Sequence, residues 1–400
     1  MSRLRVLMIS GEYPPMEGGV ADFTAILSQA MAADAEVHVL TSLGPATSQG
    51  RETTASDNIA VEDGVVVHRR MHAWSWLPLL RAVSELLESQ SIDVVNIQYQ
   101  TAAYGMHPAI NLLPMMVRAL GPTRVPMVVT FHDLLVPYLL PKAGPLREWV
   151  NLTLARRCRV AIVTNAQDHR RLAAVRGIPR LERIPIGSNI STALPPNYDR
   201  AAWRERWGLP DESVVLCYFG FLNASKGGED LVHALHQLVS DGMDARLLMI
   251  GGAIGASDPT NRAYLARVRA LIAELGLAER VIWTGHLPDE QVSACFAIAD
   301  LCLLPYRDGV SFRRGSLMAA LAHGMPIIST YPIDDQIPSE AMWLVPPSDP
   351  AALADAVRSL MRDDDLRRRL GAGARELSAA FGWDQIAEHT LRLLTEVAHG

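Results

Sequence analysis

Residues 214–235 read VVLCYFGFLNASKGGEDLVHAL. The opening six residues form a continuous apolar run, the pattern of a strand buried on both faces, and the run stops at Gly220. From about Gly228 the apolar residues recur at helical spacing. Strand, glycine-rich turn and helix make one βα unit. Lys226 lies in the turn, just ahead of the helix N-terminus, where a point charge suits a phosphate. A solvated loop lysine is the alternative. The chain has only two lysines, Lys142 and Lys226, against 35 arginines.

The same unit repeats outward in both directions. ARLLMIG, RVIWTG, ADLCLLP and PIIST follow it as strand candidates, each leading into a helical stretch. Upstream, RVLMIS, EVHVLT, DVVNIQ, MVVTFH and VAIVTN alternate with amphipathic segments in the same way. This predicts an α/β protein of two Rossmann-like, doubly wound parallel-sheet domains facing across a cleft. The expected boundaries are 1–197 for the first domain, 198–212 for a linker introduced by ALPPNYD, and 213–380 for the second domain. Residues 381–400 read as a final amphipathic helix packing back on the first domain.

Composition restricts the function classes. The net charge is −6, but residues 118–183 carry 12 basic and four acidic side chains, a balance of +8. That clump suits an anionic substrate or lipid surface, or is a solvated arginine-rich face. No nucleic-acid partner is expected. No apolar run approaches the length of a membrane span, and MSRLRVLMISGEYPP runs into a strand without a cleavable signal, so a cytoplasmic location is expected. Cys158, Cys217, Cys295 and Cys302 form no CxxC pair and sit in apolar surroundings.

Gly18 and Gly19 stand at the N-terminus of the first helix, where glycine lets a ligand approach free N–H groups or provides a turn with positive φ. His132 ends the MVVTFH run and is placed to donate a hydrogen bond to a substrate hydroxyl, or is a satisfied structural histidine. There is no GxxxxGK[ST], and GGAIGA at 251–256 lacks GxGxxG spacing, which disfavours phosphohydrolase and nicotinamide readings. Asp363, Asp364 and Asp365 are explained by helix capping, and no His/Cys cluster has zinc spacing.

EYPPMEGGVADFT, VVTFHD, IPIGSN, FGFLNASKGGEDLVHAL, ERVIWTGHLPDEQV, ADLCLLPYRDG and AALAHGMPI, in that order, resemble the retaining family 4 glycosyltransferases of GT-B type over essentially the whole chain. The resemblance implies a UDP- or GDP-sugar donor on the second domain and an acceptor hydroxyl (glycan, lipid-linked or small-molecule) on the first. It also implies retention of configuration, with no metal and no cofactor, because protein cations and helix termini stabilise the leaving diphosphate. Peripheral contact with the inner face of a membrane is a further expectation.

On this resemblance Lys226 and one of Arg313 and Arg314 neutralise the diphosphate. Gly18, Gly19 and Gly220 approach the donor, and His132 holds a sugar hydroxyl. Asp308 or Ser311 binds the sugar ring, Gly285, His286 and Leu287 border the base, and Gly315 and Ser316 add hydrogen-bond donors. Two departures stand out. Ala319 occupies the place of the family's second glutamate, and Phe221 that of a phosphate-binding arginine. The stretch DGVSFRRGSLMAALAHGMP, 308–326, offers Arg313 and Arg314 at a helix start as the replacement charge, with pairing to Asp308 as the alternative. A GT-B-like binding protein that no longer transfers sugar is the alternative function.

Overall fold

A computed structural model describes residues 3–16, 18–43, 59–121, 124–134, 144–252, 259–333 and 337–400. Glu17, Lys142 and the 253–256 part of GGAIGA lie outside the described residues. The chain divides into unit 1, Met1–Gly187 with Trp383–Gly400, and unit 2, Ser188–Gly382.

Unit 1 runs β1 Leu4–Ser10, α1 Gly19–Met31, β2 Ala35–Ser42, β3 Ile59–Glu62, β4 Val65–Met71, α2 Trp76–Ser89 and β5 Val94–Tyr99. It continues through α3 Ala109–Leu120, β6 Met127–Phe131, α4 Gly144–Arg157, β7 Val160–Val163, α5 Ala166–Ala173 and β8 Leu181–Arg183. Unit 2 contains α6 Arg200–Arg206, β9 Val214–Phe219, α7 Gly228–Ser240, β10 Ala245–Ile250, α8 Pro259–Glu274, β11 Val281–Trp283 and α9 Asp289–Ile298. It closes with β12 Leu301–Leu304, α10 Gly315–Ala322, β13 Ile327–Thr330, β14 Trp343–Val345, α11 Pro350–Met361 and α12 Asp364–Ser378, before α13 Trp383–His399 returns to unit 1.

The described strands of unit 1 form a sheet in the order β3-β4-β2-β1-β5-β6-β7-β8, parallel except at the β3–β4 edge. In the central strands alternate residues enter different cores. Leu7, Ile9, Val95, Ile97, Val129 and Phe131 pack with α2 and α3 residues such as Leu86 and Leu113. Val6, Met8, Val37, Val94 and Val128 pack on the other face with Phe23 and Leu27 of α1 and with Ile386 and Leu393 of α13. Burial on both faces explains why these strands read as unbroken apolar runs.

Unit 2 has the order β11-β10-β9-β12-β13-β14, all parallel. The direction of winding reverses between β9 and β12 here, and between β1 and β5 in unit 1. Ligands of such sheets bind outside the carboxyl ends of the strands at these switch points.

Residues 198–212, expected as a linker, carry α6 and belong to unit 2, as do Ser188–Asn197. Asp199 caps α6 by accepting from Ala202 N–H at 2.8 Å, and buried Arg204 donates to the carbonyls of Pro210 and Ser213. Asp363 caps α12 through Leu366 N–H, as read from the sequence. The four cysteines are free and buried, and burial pushes the Cys158 and Cys217 thiols up.

Candidate active site

At the unit 2 switch point the turn after β9 and the loop after β12 are fastened together. Gly227 sits at φ +68°, and a Cβ there would meet the Pro305 carbonyl oxygen at 2.1 Å. Only glycine permits that approach. Arg307 N–H donates to the Ser225 carbonyl at 2.8 Å, and its guanidinium grips Asp230 bidentately at 2.8 and 3.0 Å. Loops far apart in sequence thereby present one surface.

That surface brings together Gly220, Lys226, Tyr306, Asp308, Arg313, Arg314 and Ser316. A Cβ on Gly220, whose φ is +108°, would lie 3.4 Å from Lys226 Nζ and 3.5 Å from Ser316 Cβ. Ser316, in the first turn of α10, shares a hydrogen bond of 2.7 Å with the Tyr306 hydroxyl. The Lys226 ammonium makes no hydrogen bond or ion pair among the described residues, although its backbone N–H donates to the Asn223 carbonyl at 3.0 Å. Burial, then the neighbouring Arg314 charge, lowers its pKa to about 8, against an opposing pull from Asp308. An ammonium held this way is short of a counter-anion.

Arg313 and Arg314 both donate to the Asp308 carboxylate, Arg313 at 3.0 Å. Arg314 also stacks over the Tyr306 ring at 4.8 Å, and its buried Nε has no partner among the described residues. Arg314 is the extended N-cap residue, φ −91° and ψ 108°, and α10 begins at Gly315. The two arginines therefore do not begin the helix, and the helical offset of about 100° between neighbours does not govern where they point. Gly315 lies beside the Asn189 amide of IPIGSN, whose oxygen would be 3.8 Å from an added Cβ. The Ser311 carbonyl accepts from Arg314 N–H at 3.2 Å and closes the turn.

Gly285, at φ +69°, and the exposed His286 and half-buried Leu287 follow β11, two strands away from β9. Half-buried Phe221 supplies no cation, and its carbonyl accepts from the Tyr218 hydroxyl at 3.2 Å. Ala319 is fully buried within α10.

In unit 1 neither Gly18 nor Gly19 has the left-handed backbone that a glycine turn requires, so the turn explanation does not hold for either. Gly18 is extended at φ 175°, and a Cβ on it would come within 2.5 Å of Glu12 Oε2. Nothing lies within 4 Å of a Cβ on Gly19. The Glu12 carboxyl has a raised pKa, through burial first and then Asp22, a group that the sequence reading passed over.

His132 follows β6, its Nε2 2.9 Å from Gln98 Oε1 and its ring edge-on to Phe23 at 4.7 Å. Burial lowers its pKa to about 4, so the ring is neutral near pH 7. With the Gln98 oxygen accepting, Nε2 carries the proton and Nδ1 is left as an acceptor. In that tautomer the remaining ring nitrogen of His132 accepts from a hydroxyl and does not donate to one.

The family described as glycosyl transferases group 1 matches residues 199–377, and the glycosyl transferase 4-like domain matches residues 18–187. The chain belongs to the group 1 glycosyltransferases of GT-B fold. A D-inositol 3-phosphate glycosyltransferase of Xylanimonas cellulosilytica is 33% identical over 223 residues, 52% of this chain and 50% of that protein. The chain thus spans about half the length of the relatives of that name. A GDP-mannose-dependent alpha-(1-6)-phosphatidylinositol monomannoside mannosyltransferase of Mycobacterium tuberculosis is 25% identical, with 96% of each chain covered.

Sucrose-phosphate synthase from Thermosynechococcus elongatus shares the fold at TM-score 0.77 and 22% identity, covering 99% of both chains. Anabaena HepE, solved with UDP, does so at TM-score 0.72 and 18% identity, covering 98% of this chain and 100% of that one. No helix among the described residues is long and apolar enough to cross a membrane.

Proposed function

We propose that the protein transfers a sugar from a nucleoside diphosphate donor to an acceptor hydroxyl, with retention and without a metal. The observation that carries this is the unpartnered Lys226 ammonium beside Gly220, Ser316 and Arg314. As the glycosidic bond breaks, negative charge grows on the diphosphate. Lys226 and Arg314 meet it as fixed cations, and the Ser316 hydroxyl and first N–H groups of α10 add donors. Arg314 must then exchange Asp308 for phosphate, which releases the Asp308 carboxylate to a sugar hydroxyl. His132 accepts from a hydroxyl through Nδ1, and Gly18 and Gly19 leave the N-terminus of α1 open to the substrate. Gly285, His286 and Leu287 border the base.

A UDP complex of HepE and the GDP-mannose-dependent relatives support UDP or GDP as the nucleotide. The phosphatidylinositol acceptor named for the mycobacterial relative supports a lipid-linked acceptor. With the arginine-rich 118–183 stretch, it also supports a cytoplasmic protein that touches the inner membrane face peripherally. Ala319 and Phe221 favour a second reading, a GT-B protein that binds the donor but transfers nothing.

A thermal-shift screen with UDP-, GDP- and ADP-sugars in EDTA, followed by NMR of the anomeric proton in the product, tests the proposal. Stabilisation by one donor and a product of retained configuration support it. A donor that binds without turnover with any acceptor class supports the second reading, and no donor binding rejects both.

A further inference from the structure

Five arginines, Arg118, Arg124, Arg156, Arg157 and Arg159, line one cavity of about 540 Å³ in unit 1. It opens at the amino ends of β6 and β7, since Met127 and Cys158 also line it. This is the sheet edge opposite to the carboxyl ends that carry His132. Arg156 donates to the Arg176 carbonyl at 3.0 Å. The side chains of Arg118, Arg124, Arg157 and Arg159 have no hydrogen bond or ion pair among the described residues.

Glu182 and Glu396 do not relieve this charge, because both are bound by Arg180 at 2.8 Å. Gly400 also lines the cavity, so any carboxylate there offsets one charge of five. Arg118, Arg156 and Arg157 stand in the last turns of α3 and α4, where cations complement the helix dipole. That explanation does not reach Arg124 or Arg159, which lie outside helices. Like charges gathered around a concave space raise each other's energy and are relieved by a bound anion. Arginine's planar fork suits phosphate oxygens in particular.

We propose that this cavity is a second anion site, distinct from the donor site of unit 2, that takes a phosphorylated ligand. A lipid headgroup and a free phosphorylated metabolite present the same chemistry to it. The proposal does not depend on the reading of Lys226.

Calorimetric titration with tripolyphosphate at low salt tests it in the parent, in R157Q/R159Q, in R118Q/R124Q, in a control R81Q/R183Q of equal charge loss, and in K226M. Thermal unfolding checks that each variant folds, and two independent pocket variants guard against loss of one. The expected result is binding about tenfold or more weaker in either pocket variant, with control and K226M at parent strength for this event. Vesicles of phosphatidylcholine with phosphatidylinositol phosphate form a second arm. Parent pelleting that tripolyphosphate displaces identifies a headgroup, and soluble binding alone identifies a free phosphate. Pocket variants that bind like the parent, or tripolyphosphate binding that vanishes only in K226M, would overturn the proposal.

Discussion

Arg314 holds the Asp308 carboxylate while its guanidinium lies 4.8 Å above the Tyr306 ring, and Arg313 reaches the same carboxylate at 3.0 Å. Asp308 therefore occupies the anion position of Arg314, a cation that the proposed chemistry needs, and of its neighbour Arg313. Asp308→Asn removes an internal competitor, so it tightens free UDP or GDP severalfold and slows transfer by deleting a sugar contact. Calorimetry beside transfer rates checks this. Unchanged or weaker nucleotide binding in Asp308→Asn contradicts the competition.

The two arginines differ in what surrounds them. Arg314 has the aromatic platform, the unpartnered Nε and an electrostatic effect on Lys226. Arg314→Ala weakens nucleoside diphosphate binding by about 1.5–3 kcal/mol, the scale of a charged hydrogen bond, and Arg313→Ala by less. Titration of each folded variant makes the comparison, and equal effects remove the distinction.

Lys226 links binding to pH. Its pKa of about 8 lies below the ordinary 10.5, so the unfolded chain holds that proton more tightly. The resulting penalty on folding is full below about pH 8 and fades as pH rises towards 10.5. Lys226→Met should stabilise the ligand-free protein at pH 7 by about 1–3 kcal/mol. In the parent, diphosphate affinity falls from pH 8 to pH 10 as the ammonium is lost. Unfolding curves and calorimetry in buffers of different ionisation enthalpy test both statements. A less stable Lys226→Met, or binding without proton uptake at pH 9, contradicts them.

Acid should loosen unit 1. His68 and His132 both have pKa values of about 4, lowered first by burial and, for His68, also by His38, whose Nδ1 is 3.1 Å from its Nε2. The unfolded chain takes up these protons nearer the ordinary 6.5, so stability falls as pH drops from about 6.5 to 4. His68→Gln flattens that slope in denaturant titrations at stepped pH, whereas an unchanged slope assigns it to other groups.

Gly227→Ala tests the fastening of the two loops. The Pro305 oxygen at 2.1 Å and a φ of +68° both oppose a side chain. A loss of about 2 kcal/mol or more is expected, with weaker nucleotide binding. A fully stable variant contradicts the tight approach.

Much of this was legible in the sequence because fully buried strands write themselves as runs, as VVLCYF does for β9. The strands that the reading missed are the interior β4, whose apolar run VVV gives way to the polar HRR, and elements at the sheet edges. β3 alternates between exposed and half-buried, and β8 and β14 have three residues each. Helix α6 was hidden behind the prolines of ALPPNYD, although Asp199 carried a capping signal. In the site, the glycine turn marked Lys226 and Gly220. Tyr306, the Gly227–Pro305 approach and the Glu12–Gly18 contact were not legible, because sheet order and loop packing, not local pattern, create them.

The most direct test of the central claim is a double-mutant cycle on UDP and GDP binding with Lys226→Met, Arg314→Ala and the pair. If both cations hold one diphosphate, each single change weakens binding about tenfold or more, and the pair loses less than the sum of the singles. If the folded single variants bind UDP and GDP as the parent does, the Lys226–Arg314 surface is not the diphosphate site.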